Sequence, residues 1–259
     1  MKGSPRVGLA VTSLCFVVAL ITATGCGGSS SSPTQPSVFG GSGAGPTVTP
    51  GAQVLIDASK DGGVWWFPQS GPFNPANPHQ GKALADVLRG HDYTVDELPR
   101  GTAVTDSLLT NYRLVIRVGS CTPYSSAELN AYDRFVARGD ATLWLLTDHM
   151  NGGCSQSDPL AGRFGGITYA GGESGTITTF STHAITAGVT HLNYVAGATV
   201  VSFDAAKVEI FARMSPSNRG VMGIIKGYAA KVFFLGDSNG VQTVPQPLIN
   251  NLIAWSFGS

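Results

Sequence analysis

Two acidic loops and one short polar run hold the side chains that could do chemistry. Asp148-His149 closes an apolar run, and Cys154 follows five residues after the histidine. A thiolate at Cys154 with His149 as its base would make a nucleophile. Alternatively, His149 with Asp57, Asp148 or a bound metal would make a hydrolytic centre. Adjacent residues of an extended chain point apart, so Asp148 does not orient His149 merely by preceding it. Cys121 offers Cys154 a disulfide partner instead, and a paired sulfur attacks nothing. His183 stands before Ala184-Ile185-Thr186 and reads as structural, its ring bonding the turn that follows. Gly-x-Ser-x-Gly, Walker, dinucleotide Gly-x-Gly-x-x-Gly, Cys-x-x-Cys and His-Glu-x-x-His patterns are absent, so no cofactor and no metal is expected.

A third group sits in the loop from Asp57 to Pro78, about twenty residues long. It carries Asp61, Trp65, Trp66, Phe67, Gln69 and Phe73 among Gly, Pro and Asn, and His79 follows it. A loop of this length is either functional or disordered, and three consecutive aromatics argue against disorder. Trp65 and Trp66 could form a platform for a sugar or apolar ligand, with Asp57, Asp61 and His79 as polar contacts. They could equally cap the sheet edge as an auxiliary core, with His79 opening the first helix as a cap.

These residues need a scaffold, and the pattern of the chain supplies one. Gln53 to Asp57 is an apolar run that stops at an acid, as a buried parallel strand does at its loop. Ala83, Leu84, Val87 and Leu88 recur at helical spacing between His79 and Gly90. Strands are predicted over Tyr93 to Leu98, Tyr112 to Val118 and Ala141 to Thr147. A helix lies between the last two, with Ser125 or Ser126 as N-cap and Glu128 in its first turn. Strands alternating with helices imply an α/β fold with a doubly wound, mostly parallel sheet. The second half differs: Gly175 to Phe180, Ala198 to Phe203, Val208 to Met214, Gly220 to Lys226 and Lys231 to Leu235 are strand-like and separated by Gly, Asn and Pro. They predict a β-rich C-terminal extension, partly antiparallel, at the sheet's far edge, closed by a helix from about Pro245 to Phe257.

The chain has 259 residues, 16 basic and 16 acidic groups, and only 12% charged side chains. Zero net charge argues against a non-specific nucleic-acid binder, which needs a basic stripe. Residues 1–25 read as a secretory signal, with Lys2 and Arg6 ahead of a short apolar run from Val7 to Ile21. Fifteen residues fall short of the roughly 20 that span a bilayer. The run ends at Ala23-Thr24-Gly25-Cys26, which resembles the bacterial lipobox; the resemblance implies acylation of Cys26 and attachment to the membrane of a bacterial cell envelope. Gly27 after the cysteine, rather than Asp, favours the outer membrane. Residues 26–51 then form an uncharged Gly/Ser/Pro tether that cannot repay its ordering entropy, and 52–259 form the folded domain. Removing Lys2 and Arg6 from the 16 basic groups leaves 14 against 16 acidic ones. With Cys15 in the signal and Cys26 lipidated, an exported chain is expected to pair its two other cysteines, Cys121 and Cys154.

Val54-Leu55-Ile56-Asp57, the helix leading to Gly90, Leu114-Val115-Ile116, Ser126-Ala127-Glu128 and Leu143-Trp144-Leu145-Leu146 together resemble the class I glutamine amidotransferase-like superfamily. His183-Ala184-Ile185-Thr186-Ala187-Gly188 and Gly236-Asp237-Ser238 resemble its trehalose-utilisation-like and DUF4350-like branch. The resemblance implies a flavodoxin-like sheet and, in catalytic members, a nucleophilic cysteine in the turn after the fourth strand. Here that turn reads Asp148-His149-Met150, so glutamine hydrolysis is not expected. In the 2-1-3-4 strand order the resemblance implies, strands three and four are neighbours, which brings Cys121 and Cys154 within reach of a bridge worth about 3–4 kcal/mol. Gly236-Asp237-Ser238 also echoes the nucleophile turn of SGNH hydrolases, but no histidine follows it. The expected function is a nucleophile-lacking, ligand-binding or scaffold domain, with carbohydrate or an envelope protein as partner. The alternative is the hydrolase built on His149.

Overall fold

A computed structural model describes residues 53–61, 65–119, 121–148, 158–242 and 246–258. The signal, Cys26 and the tether lie outside the described residues, as do His149 and Cys154. No helix among the described residues is long and apolar enough to cross a membrane.

Five strands run parallel at the centre. β1 (Gln53–Asp57) lies between β2 (Thr94–Leu98) and β3 (Leu114–Val118), and β4 (Thr142–Leu146) follows β3. The fifth is the last strand of the chain, β9 (Lys231–Leu235), which pairs in parallel with β4. Beyond β9 the sheet turns antiparallel through β8 (Gly220–Ile225), β6 (Leu192–Ser202) and β5 (Thr168–Ile177), while β7 (Val208–Arg213) pairs off the path with β8. The strand order therefore reverses between β1 and β3, the point at which doubly wound sheets open a crevice.

The central strands are buried on both faces, which is why β3, Leu114-Val115-Ile116-Arg117-Val118, reads as an almost unbroken apolar run. Alternate residues still separate two cores. Val54, Ile56, Leu114, Ile116, Trp144 and Phe233 face α1 (Lys82–Gly90) and α6 (Gln246–Phe257). Leu55, Val115, Leu143, Leu145, Val232 and Phe234 face α2 (Asp106–Leu109), α3 (Ser126–Val136) and α4 (Pro159–Gly165). The N-terminus of α3 is a full capping box: the Glu128 N–H donates to Ser125 Oγ, and the Ser125 N–H donates to Glu128 Oε2 at 2.8 Å.

The expected α/β sheet with a β-rich extension is the observed architecture, with three differences. First, Lys231 to Leu235 is a parallel strand inside the sheet rather than at its edge. It is long-range pairing with β4 that decides this, and no local pattern shows it. Second, β5 and β6 are longer than their apolar segments, because β5 bridges Ala170 to Glu173 by a bulge rather than by alternation. Third, α2, α4 and the short α5 (Asn239–Gln242) were not anticipated, whereas the turn expected after His183 is a 3-10 turn at Ala184–Thr186. Four to seven residues are too few to display a helical period, although Asp158 and Pro159 form a readable N-cap and first-turn pair at α4.

β8 packs so closely on β7 that a Cβ at Gly223 would stand 2.0 Å from the Glu209 carbonyl oxygen and 2.9 Å from the Phe234 ring. Gly223→Ala should destabilise the domain by about 1–3 kcal/mol, read as a lower urea midpoint. An unchanged midpoint would mean that β7 does not seat on β8 in this register.

Candidate functional site

The carboxyl ends of β1, β3, β4 and β9 bring together a set of buried polar side chains. Asp57 ends β1 and is fully buried. Its Oδ2 accepts from the Tyr132 hydroxyl at 2.5 Å and the Tyr124 hydroxyl at 3.3 Å, and its Oδ1 accepts the Ser59 N–H at 2.9 Å. Burial, then the Asp57 charge, push both phenols well above their ordinary pKa of 10.0, so each stays a donor. Two residues beyond Ala58, Lys60 pairs with Glu128 at 2.9 Å, and Glu128 also accepts the Val104 N–H. Burial alone would raise the Glu128 carboxyl. The Ser125 backbone bond, the Lys60 ammonium, the Ser125 hydroxyl and the Val104 N–H outweigh it and hold the group at about 2.

Arg117 of β3 is fully buried on the α3 and α4 side of the sheet. It forms a short ion pair with Asp158 and donates from Nη1 to the Gly119 carbonyl at 2.7 Å. Asp158 also accepts from the Thr147 hydroxyl at 2.7 Å and, through Oδ1, from the Leu160 and Ala161 N–H groups that open α4. At the turn after β4, Asp148 accepts a short hydrogen bond from Ser238, which lies in the turn after β9. Asp237 beside it accepts the Val195 N–H and the Asn239 N–H. The Gly236-Asp237-Ser238 turn thus stitches β9 to β6 and to Asp148.

The aromatic loop is built differently from a solvent-facing platform. Trp65 is completely buried and Trp66 nearly so. The Trp65 indole N–H donates to Glu97 at 3.1 Å, and Gly81 leaves room for its ring, since a Cβ there would lie 1.9 Å from it. The Trp66 indole N–H donates to the Ala58 carbonyl. Both rings belong to the core with α1 and α6, so the loop is an auxiliary core and not the exposed platform that was one of two expectations. His79 does not cap α1, which begins three residues later. Its Nε2 meets Glu97 at 2.9 Å and its Nδ1 meets the Asn77 carbonyl. Asp61 accepts the Trp65 N–H and so holds the loop's start.

The sequence candidates therefore fall into separate networks: Asp57 with Tyr124 and Tyr132, Asp148 with Ser238, His79 with Glu97 and Trp65. His183 is structural as read, its Nδ1 accepting the Ile185 N–H at 3.1 Å. Cys121 lies in the loop after β3. Its expected partner Cys154, like the proposed base His149, lies outside the described residues. Among the described residues no group of three His, Cys, Asp or Glu side chains is placed to hold a metal ion.

What the aromatic loop leaves open is a groove of about 270 Å³ beside the end of β2, walled by Trp66, Gln69, Pro72, Phe73, Pro99 and Arg100. Phe73 packs edge-on to Trp66 at 3.9 Å between centroids, and the Arg100 guanidinium lies 5.6 Å from the Trp66 ring. Gln69 locks the loop: its Nε2 donates to the carbonyls of Asn74, Asn77 and Pro78, and its Oε1 accepts the Asn74 N–H. Arg100, Pro99 and Glu97 escaped the sequence reading. The only signal was the acidic pair Asp96-Glu97 in the short strand Thr94–Leu98 and the Pro99-Arg100 pair that follows it.

No known protein family and no curated protein matches the sequence. Solved structures do match in fold. The mmIFT52 N-terminal domain superposes with a TM-score of 0.58 at 14% identity, over 79% of this chain and 97% of that one. A ThuA-like protein of Bacteroides uniformis superposes with a TM-score of 0.53 at 13% identity, over 80% and 90%. The β-galactosidase of Rahnella sp. R3 matches with a TM-score of 0.50 at 15% identity, over 80% of this chain but 31% of that one. The fold is thus the flavodoxin-like one shared with the ThuA-like protein, as the amidotransferase-like resemblance implied.

The depressed Glu128 carboxyl has a consequence for acid stability. A carboxyl held below its unfolded value of 4.5 stabilises the fold above that pH and ceases to do so as pH falls through about 2. Urea midpoints of the wild type should drop across that window, and Glu128→Gln should be less stable near neutrality yet show a shallower acid decline. Parallel acid limbs for the two proteins would remove Glu128 from the account.

Proposed function

We propose that the chain is a bacterial lipoprotein, anchored through Cys26 in the cell envelope, at the outer membrane. Its amidotransferase-like domain lacks the nucleophile and binds a ligand, with carbohydrate or other envelope material as the ligand class. One contrast carries this reading. The carboxylates at the sheet's C-terminal edge are consumed by internal donors, whereas the aromatic loop keeps a rigid, open groove beside β2. Small-molecule sites are concave, mostly apolar and preformed, and the groove has that character. A bridge between Cys121 and Cys154, tying the loops after β3 and β4, belongs to the same proposal and fits an oxidising compartment.

On a glycan array the soluble domain, residues 52–259, should bind a defined set of saccharides. Titration with those saccharides should change tryptophan fluorescence, because Trp66 lines the groove. Phe73→Ala, which removes a wall of the groove, should weaken binding by about tenfold. Silence on every glycan would overturn carbohydrate binding. The anchor is checked separately: the full chain expressed in a bacterial host should enter the detergent phase on Triton X-114 partition, and Cys26→Ser should move it to the aqueous phase. Equal partition of the two would overturn the lipoprotein assignment.

A further inference from the structure

Arg100 is unlike the other cations of the domain. Among the described residues every other arginine and lysine meets a carboxylate or a carbonyl oxygen: Arg89 on Glu97, Arg117 on Asp158, Arg134 on Asp106, Arg163 on Asp133, Arg213 on the Asn218 carbonyl. Arg100 is exposed, and its contact is with the Trp66 ring face, 5.6 Å from the centroid. That ring is buried and held by its indole bond to Ala58 and by Phe73. A cation resting on a fixed aromatic face keeps its orientation while its N–H edges stay available for a planar oxyanion. None of the residues that wall the groove is acidic, so nothing in the wall offsets the charge.

The walls add a second requirement. Pro72, Phe73 and Pro99 contribute apolar rings to the wall. Gln69 already occupies the loop carbonyls of Asn74, Asn77 and Pro78, which an extended peptide would need for backbone pairing. A volume of about 270 Å³ lies just below the roughly 300–1,000 Å³ usual for small-molecule sites, and so suits a small ligand. Resting on the carbohydrate reading above, we infer that the groove binds an acidic sugar, a pyranose whose carboxylate is held by Arg100 and whose C–H face lies against Phe73 and the two prolines.

Trigalacturonate, its methyl ester and neutral galactotriose serve as probes in isothermal titration with the full chain in detergent. Trigalacturonate should bind at least tenfold more tightly than the ester or the neutral sugar, and its affinity should fall with added salt. Arg100→Gln should abolish that preference while Arg134→Gln, at an exposed arginine elsewhere, leaves it intact. Circular dichroism checks that both variants fold, and Arg100→Lys should recover some of the preference. Equal binding of acid, ester and neutral sugar would overturn the acidic class and spare the carbohydrate reading. Binding to none of the three, with array binding to other glycans, would also overturn the inference alone. Tighter binding of tetraglutamate than of trigalacturonate, lost in Arg100→Gln, would make the ligand an acidic peptide and overturn the sugar.

Discussion

A guanidinium with no exposure to water sits in the middle of the parallel sheet, and the C-terminal edge is organised around it. Arg117 occupies a position in β3 that the alternation assigns to the core with α3 and α4. Stripping a charge of water costs several kcal/mol unless a counter-charge and good hydrogen bonds replace the solvent, and breaking such a pair from one side costs about 3–5 kcal/mol. Asp158 is that counter-charge. It also receives Thr147 and caps α4, so one carboxylate ties the end of β4 and the start of the helix that follows it to the end of β3, 41 residues earlier. Nη1 is satisfied by Gly119, while Nε is buried without a partner among the described residues.

On the adjacent strand, Asp57 has the matching role. Two tyrosines from α3 and its lead-in converge on it, and Lys60 and Glu128 close the adjoining loop onto the same helix. Each of these carboxylates has its lone pairs committed inside the protein. A general base needs a lone pair within reach of substrate, and a nucleophile needs access. Along the described portion of this edge the acids are tied into internal networks, and the open groove lies instead at the loop that leaves β1 and folds back beside β2.

Some of this was readable from local pattern. The capping box Ser125-to-Glu128, the period of α1 and the apolar runs of β1, β3 and β4 depend on neighbours within a few residues, and each stands where those neighbours put it, within one to three residues. Asp57 and Asp148 were legible as strand-end acids, but their partners were not: Tyr132 is 75 positions from Asp57, and Ser238 is 90 from Asp148. Trp65, Trp66 and His79 were singled out as a group, and they do form one, yet the acid that gathers Trp65 and His79, Glu97, lies on the neighbouring strand. Arg117 is a lone charge inside a continuous apolar strand, a pattern that signals a buried ion pair even when its partner is unknown.

Composition and periodicity were enough to indicate alternating strands and helices followed by a β-rich tail, because hydrophobic repeat and capping act over one or two turns of chain. They were enough, too, to mark Asp148 as an acid at the end of β4. Whether an indole faces solvent or core, whether Lys231–Leu235 lies at an edge or beside β4, and which arginine rests on a ring rather than on an acid are outcomes of pairing between segments tens of residues apart. Burial and electrostatics depend on three-dimensional neighbours, and folding alone supplies those.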